Sequence, residues 1–93
     1  MDIKAQKSGV RITFPEECEN FAAEEALQAL QSLKPDANPV EIDLGKVKSM
    51  DTVFVNILLS LINTLKKSGR SYNIIAESNE AKRVLTLYGL SLR

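Results

Sequence analysis

Residues 40–59, VEIDLGKVKSMDTVFVNILL, constrain the fold more than any other stretch of this chain. Val40, Ile42 and Leu44 alternate with polar residues at the period of a strand with one buried face. A short loop follows, and Asp51-Thr52 then opens an apolar segment at helical spacing, with the aspartate suited to cap it. A buried strand followed by a helix that must cover it commits the chain to a sheet with helices packed against it. The same junction puts one hydroxyl, that of Thr52, at the helix end where backbone N–H groups point outward. A phosphate there would be stabilised by the helix N-terminus.

The rest of the chain extends the pattern. Ile3 and Ala5 alternate with polar residues, Ser8-Gly9 makes a turn, and Val10, Ile12 and Phe14 alternate again, which predicts a hairpin ended by Pro15. Asn20 is the expected cap of a first helix reaching Leu33, with Glu24 and Glu25 near its positive end. Phe21, Ala22, Ala26, Leu27, Leu30 and Leu33 recur at helical spacing and are expected to face the sheet. KPDANP, residues 34–39, reads as a loop. The second helix runs to about Ser68 and stops at Gly69, with Lys66 and Lys67 in its last turn. YNIIA, residues 72–76, is a fourth strand, and Ser78 or Asn79 caps a third helix that ends near Tyr88 before Gly89. The order ββαβαβα predicts an α/β sandwich, a small mixed sheet of four or five strands with about three helices, as one domain over residues 1–93.

Composition narrows the function classes. Twelve basic and twelve acidic residues cancel, so there is no global charge to attract nucleic acid or an anionic membrane. The absence of histidine removes the commonest general base and metal ligand. No Gly-rich phosphate loop, metal-ligand cluster or catalytic triad is visible, so neither cofactor nor metal is expected, and no enzymatic activity. The single cysteine, Cys18, forbids an intramolecular disulfide and suits a reducing compartment. Its neighbours Glu16, Glu17 and Glu19 are expected to raise its thiol pKa and leave it inert. The N-terminus lacks a signal-peptide core and no apolar run is long enough for a membrane span, so a cytoplasmic location is expected.

Three segments together resemble the STAS domain family, the type named for sulfate transporters and anti-sigma factor antagonists. They are IDLGKVKSMD, residues 42–51; Thr52 followed by an apolar helix ending in LKKSGR, residues 65–70; and NEAKRVLTLYGL, residues 79–90, with its Gly89-Leu90. The resemblance covers about residues 10–90 and is strongest after Val40. Where the family usually reads Asp-Ser-[Ser/Thr]-Gly, this chain reads Asp51-Thr52-Val53-Phe54. A large aromatic replaces the glycine that permits close approach of a partner backbone, which weighs against docking on a typical switch kinase. The family's usual final helix is not expected after Gly89-Leu90.

The resemblance implies that Thr52 is either a phospho-acceptor or a hydroxyl in contact with a partner; by residue type alone Thr52 is a helix-capping position. Asp51 would shape that site and also cap the helix, and its carboxylate would repel a new phosphate. The second helix carries two apolar stripes, Val55, Leu58, Leu59, Ile62 and Leu65 beside Phe54, Ile57 and Leu61, leaving Asn56, Ser60, Asn63 and Lys67 as its polar face. That arc is wider than a helix on one sheet face requires. Ile57 is expected to pack on neighbouring helices, whereas Phe54 and Val53 at the helix mouth predict an exposed apolar patch around Thr52, with Asn56 at its edge. Leaving such side chains exposed forgoes roughly 1.5–3 kcal/mol each, so a protein partner or a homodimer is expected to cover them. Lys82 and Arg83 are candidate contacts for a partner's acids or for a nucleotide phosphate, though such a pair is more often a solvated face. Asp43, a lone carboxylate at a strand end, is a weak candidate acid.

The first reading is therefore a non-enzymatic cytoplasmic bacterial signalling module, similar to anti-sigma factor antagonists. It binds a serine/threonine kinase-type anti-sigma factor through the Thr52 junction and the second helix, and phosphorylation of Thr52 would regulate it. The alternative is a constitutive STAS subunit docked on the ATPase of a phospholipid-trafficking ABC transporter, with Asp-Thr at the junction and no phosphate cycle. A nucleotide- or small-molecule-binding domain ranks third, because no pocket signature supports it.

Overall fold

Four isoleucines lie in one row across four adjacent strands and explain why the sheet forms. Ile3 pairs with Ile12, Ile12 with Ile42, and Ile42 with Ile74. The last three are buried, and Ile3 is half-buried against the same core. β-branched side chains suit this pleated, buried face, and burying each contributes about 1.5–3 kcal/mol. The arrangement is that of a computed structural model, which describes residues 1–7, 9–33 and 38–89.

The strands are β1 (Asp2–Gln6), β2 (Gly9–Thr13), β3 (Glu17–Cys18), β4 (Val40–Leu44), β5 (Ser49–Met50) and β6 (Tyr72–Glu77). The helices are α1 (Ala23–Gln31), α2 (Thr52–Lys67) and α3 (Asn79–Leu87), with a 3₁₀ turn over Asn20–Ala22 before α1. The main sheet has the order β1-β2-β4-β6; β1 is antiparallel to β2, and β2, β4 and β6 are parallel. Each parallel connection carries a helix, as parallel pairing requires. The mixed four-stranded sheet with three helices is the expected architecture.

Alternation along β2 and β4 sends Val10, Ile12, Val40, Ile42 and Leu44 into the core. Their neighbours Arg11 and Glu41 form an ion pair at 3.1 Å on the other side of the sheet. Of the two stripes foreseen on α2, Phe54, Val55, Ile57, Leu58, Leu61, Ile62 and Leu65 lie inside and Leu59 is half-buried. Its C-terminus closes as expected at Gly69, where φ is +70°. There the Gly69 N–H donates to the Lys66 carbonyl and the Arg70 N–H to the Leu65 carbonyl, a paired closure that satisfies two end carbonyls. Ser78 caps α3 by accepting from the Ala81 N–H at 3.0 Å.

Three expectations need correction. A second, two-stranded parallel ribbon joins β3 to β5, pairing Glu17 with Ser49 and Cys18 with Met50. Two residues are too few to show a period in sequence. Asn20 does not cap α1, which begins at Ala23 without a side-chain cap; the Asn20 N–H is held by Asp51 instead. Because the 3₁₀ turn has a different periodicity from the helix, Phe21 falls out of register and is 74% exposed; Leu27, within α1, lies off the face that the helix buries and is 46% exposed. Helix α1 instead buries Ala23 and Ala26. The Ser8 half of the expected Ser8-Gly9 turn, residues 34–37 of the expected loop and Leu90 lie outside the described residues. Among the described residues no helix is long and apolar enough to cross a membrane.

Gly9 is required where β2 begins. Its φ is +146°, and a β-carbon there would lie 2.2 Å from the Pro39 carbonyl oxygen. That carbonyl cannot retreat easily, because it accepts from the Val10 N–H at 3.1 Å. Gly9→Ala is expected to lower unfolding stability by about 1–3 kcal/mol, read as an earlier urea midpoint with an unchanged slope.

Candidate functional site

The site is organised by one carboxylate. Asp51 lies between β5 and α2, half-buried and extended, with ψ at 177°. Its Oδ1 accepts from the Phe54 N–H at 3.1 Å, which caps α2. Its Oδ2 accepts from the Asn20 N–H at 2.8 Å and so draws in the turn that leads to α1. Its own N–H donates to the Cys18 carbonyl at 3.0 Å, and its carbonyl accepts from the Val55 N–H at 3.1 Å. Both carboxylate oxygens are occupied by backbone amides of the fold.

This anchoring decides which side chains of the first turn face outward. Thr52 and Asn56 are exposed, and Val53 is 38% exposed. Phe54 is fully buried, contrary to the expected patch. Capture of its amide by Asp51 turns residue 54 inward, and its ring meets Phe14 edge-on, with centroids 6.3 Å apart at 69°. Phe54 is therefore a core residue and cannot contact a partner in this conformation.

The apolar exposure expected of Phe54 is supplied by residues that sequence reasoning missed. Helix α3 packs on β5, and the Tyr88 hydroxyl at its C-terminal end is hydrogen-bonded to the Thr52 hydroxyl. Leu87 is 70% and Tyr88 48% exposed. Phe21 follows Asn20, which Asp51 holds. Phe21, Val53, Leu87 and Tyr88 thus sit on the three segments that meet at Asp51-Thr52. One signal for Leu87 was available: it falls off the Ala81, Val84, Leu85 stripe that α3 buries. Tyr88 would continue that stripe by spacing, so no local pattern marks it as a surface residue.

Lys82 and Arg83 are exposed in the first half of α3, whereas the residue that meets Thr52 is Tyr88, at the other end of that helix. Arg83 instead grips Glu80 through two hydrogen bonds, at 2.8 and 2.6 Å. The Arg83 hydrogen bonds hold the Glu80 carboxyl below its usual range, and the pair raises the Arg83 guanidinium in turn. Asp43 accepts from the Gly45 N–H at 2.8 Å and shapes a turn. A surface groove of about 320 Å³ runs between α1 and α2, lined by Leu27, Leu30, Ile57 and Leu61 among others. No unpartnered buried side-chain polar atom occurs among the described residues to aim into it.

Cys18 is fully buried and its thiol contacts the Pro15 carbonyl at 3.2 Å. Its pKa is pushed up to about 12, chiefly by burial, with the Asp51 carboxylate adding to the rise. Burial, rather than the flanking glutamates, makes this thiol inert.

A family model described as Mlab, STAS domain, matches residues 2–91. A comparison with curated proteins found no match.

Two outcomes test the anchoring. Asp51→Ala leaves two backbone amides without their acceptor and is expected to cost about 2–3 kcal/mol, whereas Asp51→Asn, with one acceptor oxygen, costs about half as much; urea unfolding followed by circular dichroism measures both. For Cys18, the unfolded thiol ionises above about pH 8.5, while the folded thiol keeps its proton to about 12. The unfolded chain then binds fewer protons, so stability is unaffected below this window and falls as pH rises through it. Cys18→Ala, less stable throughout, is expected to lack that component of the fall.

Proposed function

The chain belongs to the STAS domain family, and on that footing we propose that it is a non-catalytic module that docks on a protein partner through the surface around Thr52. STAS domains generally act as non-catalytic modules in protein–protein interactions. The observation that carries the reading is that exposed apolar side chains fall on the segments joined at one junction. Except for Leu27, every exposed large hydrophobic among the described residues, namely Phe21, Val53, Leu87 and Tyr88, lies on a segment joined at Asp51-Thr52. Grouped apolar exposure of this kind marks an interaction surface.

The version best supported is constitutive docking, on the cytoplasmic side of a bacterium, upon the ATPase of a phospholipid-trafficking ABC transporter. Asp51-Thr52 resembles the junction of STAS subunits that dock in that way. The Thr52 hydroxyl is already engaged by Tyr88, and both oxygens of Asp51 are committed to the fold. Thr52 then acts as a contact residue. Asn56, exposed one turn along α2, extends the surface.

The second reading is the anti-sigma antagonist with a phosphate cycle at Thr52. It is favoured by the exposure of Thr52 at the first residue of α2, where a phosphate meets outward-pointing amides. Against it stands the Asp51 carboxylate beside that position.

Titration of the purified protein against the transporter ATPase of its own source organism tests the proposal. Wild type and Thr52→Ser are expected to bind. Val53→Asp is expected to weaken binding about tenfold or more by placing an unpaired charge in an apolar contact. The same aspartate sits favourably at a helix N-terminus, so stability is expected to hold. Unchanged binding by Val53→Asp would place the docking surface elsewhere. Binding to a kinase-type anti-sigma factor that Thr52→Glu abolishes would establish the second reading instead.

A further inference from the structure

The hydroxyls of Thr52 and Tyr88 come from positions 36 residues apart in sequence and meet where segments carrying exposed apolar side chains are joined. Each hydroxyl carries one proton and two acceptor lone pairs. A hydrogen bond between them uses one proton, whichever oxygen donates. One proton always remains, on the accepting oxygen, while both residues stay exposed.

Tyr88 is well placed to hold this arrangement. It closes α3, its N–H donating to the Val84 carbonyl at 3.2 Å, and Gly89 follows with φ at +68°. Helix α3 itself packs on β5, whose next residue is Asp51. The phenol therefore reaches Thr52 from a supported helix end, with exposed Leu87 next to it in sequence and exposed Val53 next to Thr52.

We propose that Tyr88 is a positioning residue of the docking surface: paired with Thr52, it presents a single O–H donor to an oxygen acceptor on the docked partner. This deepens the docking reading and rests on it. Once Val53, Leu87 and the Tyr88 ring are covered, that remaining proton is cut off from water, and leaving it unpaired is costly. A partner whose apolar surface carries a carbonyl or carboxylate at this point is accepted, and a purely apolar one is rejected. The pair thus adds specificity to a contact whose area is otherwise apolar.

The experiment has one arm without the partner and one with it. In the free protein, three-bond couplings of the Thr52 side chain are expected to report a single χ1 rotamer in wild type and averaging in Tyr88→Phe. With the transporter ATPase, Tyr88→Phe and Thr52→Val are each expected to weaken binding about tenfold, and the double variant no more than the weaker-binding single. Thr52→Ser, which keeps the hydroxyl, retains affinity, and the urea midpoint of Tyr88→Phe stays near wild type. A Thr52 rotamer already averaged in wild type overturns the pair. So do additive losses, or a Tyr88→Phe variant that binds as wild type while Val53→Asp does not; these leave the docking surface standing. Wild-type affinity in Val53→Asp overturns the docking surface and the partner-facing donor together.

Discussion

Capture of two backbone amides by the Asp51 carboxylate is the interaction on which the site depends. One amide, of Phe54, belongs to the helix that Asp51 opens; the other, of Asn20, lies 31 residues away. Amides at a helix start lack partners within the helix, and a charged acceptor makes a stronger bond to them than a neutral one. The consequence is geometric as much as energetic. With the Phe54 amide held, residue 54 turns into the core and residues 52 and 53 turn out. With the Asn20 amide held, the 3₁₀ turn comes to the same place and carries Phe21 with it.

The core and the surface then divide labour along α2. Its inward face puts Phe54, Leu58 and Leu65, all fully buried, into the same core as the isoleucine row of the sheet. The wide apolar arc is spent on packing, because Ile57 and Leu61 are also covered. Apart from Leu27 in the middle of α1, the large apolar side chains that stay exposed among the described residues lie at the helix mouth and at the ends of neighbouring elements. The proposed docking rests on this arrangement, a hydroxyl at a capped helix mouth whose neighbouring segments carry exposed apolar groups. Membership of the STAS family fits that division.

How far the site was legible can be followed residue by residue. The cap at Asp51, the outward Thr52 and Val53, the buried Ile57 and the stop at Gly69 follow from local rules of helix ends and apolar spacing, and the structure has them in place. Phe54 was misread because spacing alone places it on a stripe beside the main one, and only its meeting with Phe14, 40 positions earlier, shows that the stripe is covered. Phe21 was misread for the opposite reason: its spacing matched a helix, but the helix starts two residues later. The β3–β5 ribbon left no local trace at all, being two residues long on each side.

The sequence by itself determined the order of the main-sheet strands and of the three helices, a small mixed sheet of four or five strands and the location of the hydroxyl at a helix mouth, because alternation, helical spacing and capping chemistry act within a few residues of each other. Only the tertiary structure decided which apolar side chains surround that hydroxyl. The Asn20–Asp51 and Thr52–Tyr88 contacts join positions more than 30 residues apart. Pairings of that kind are chosen by how helices seat on the sheet, and packing of this sort leaves no period in the chain to be read.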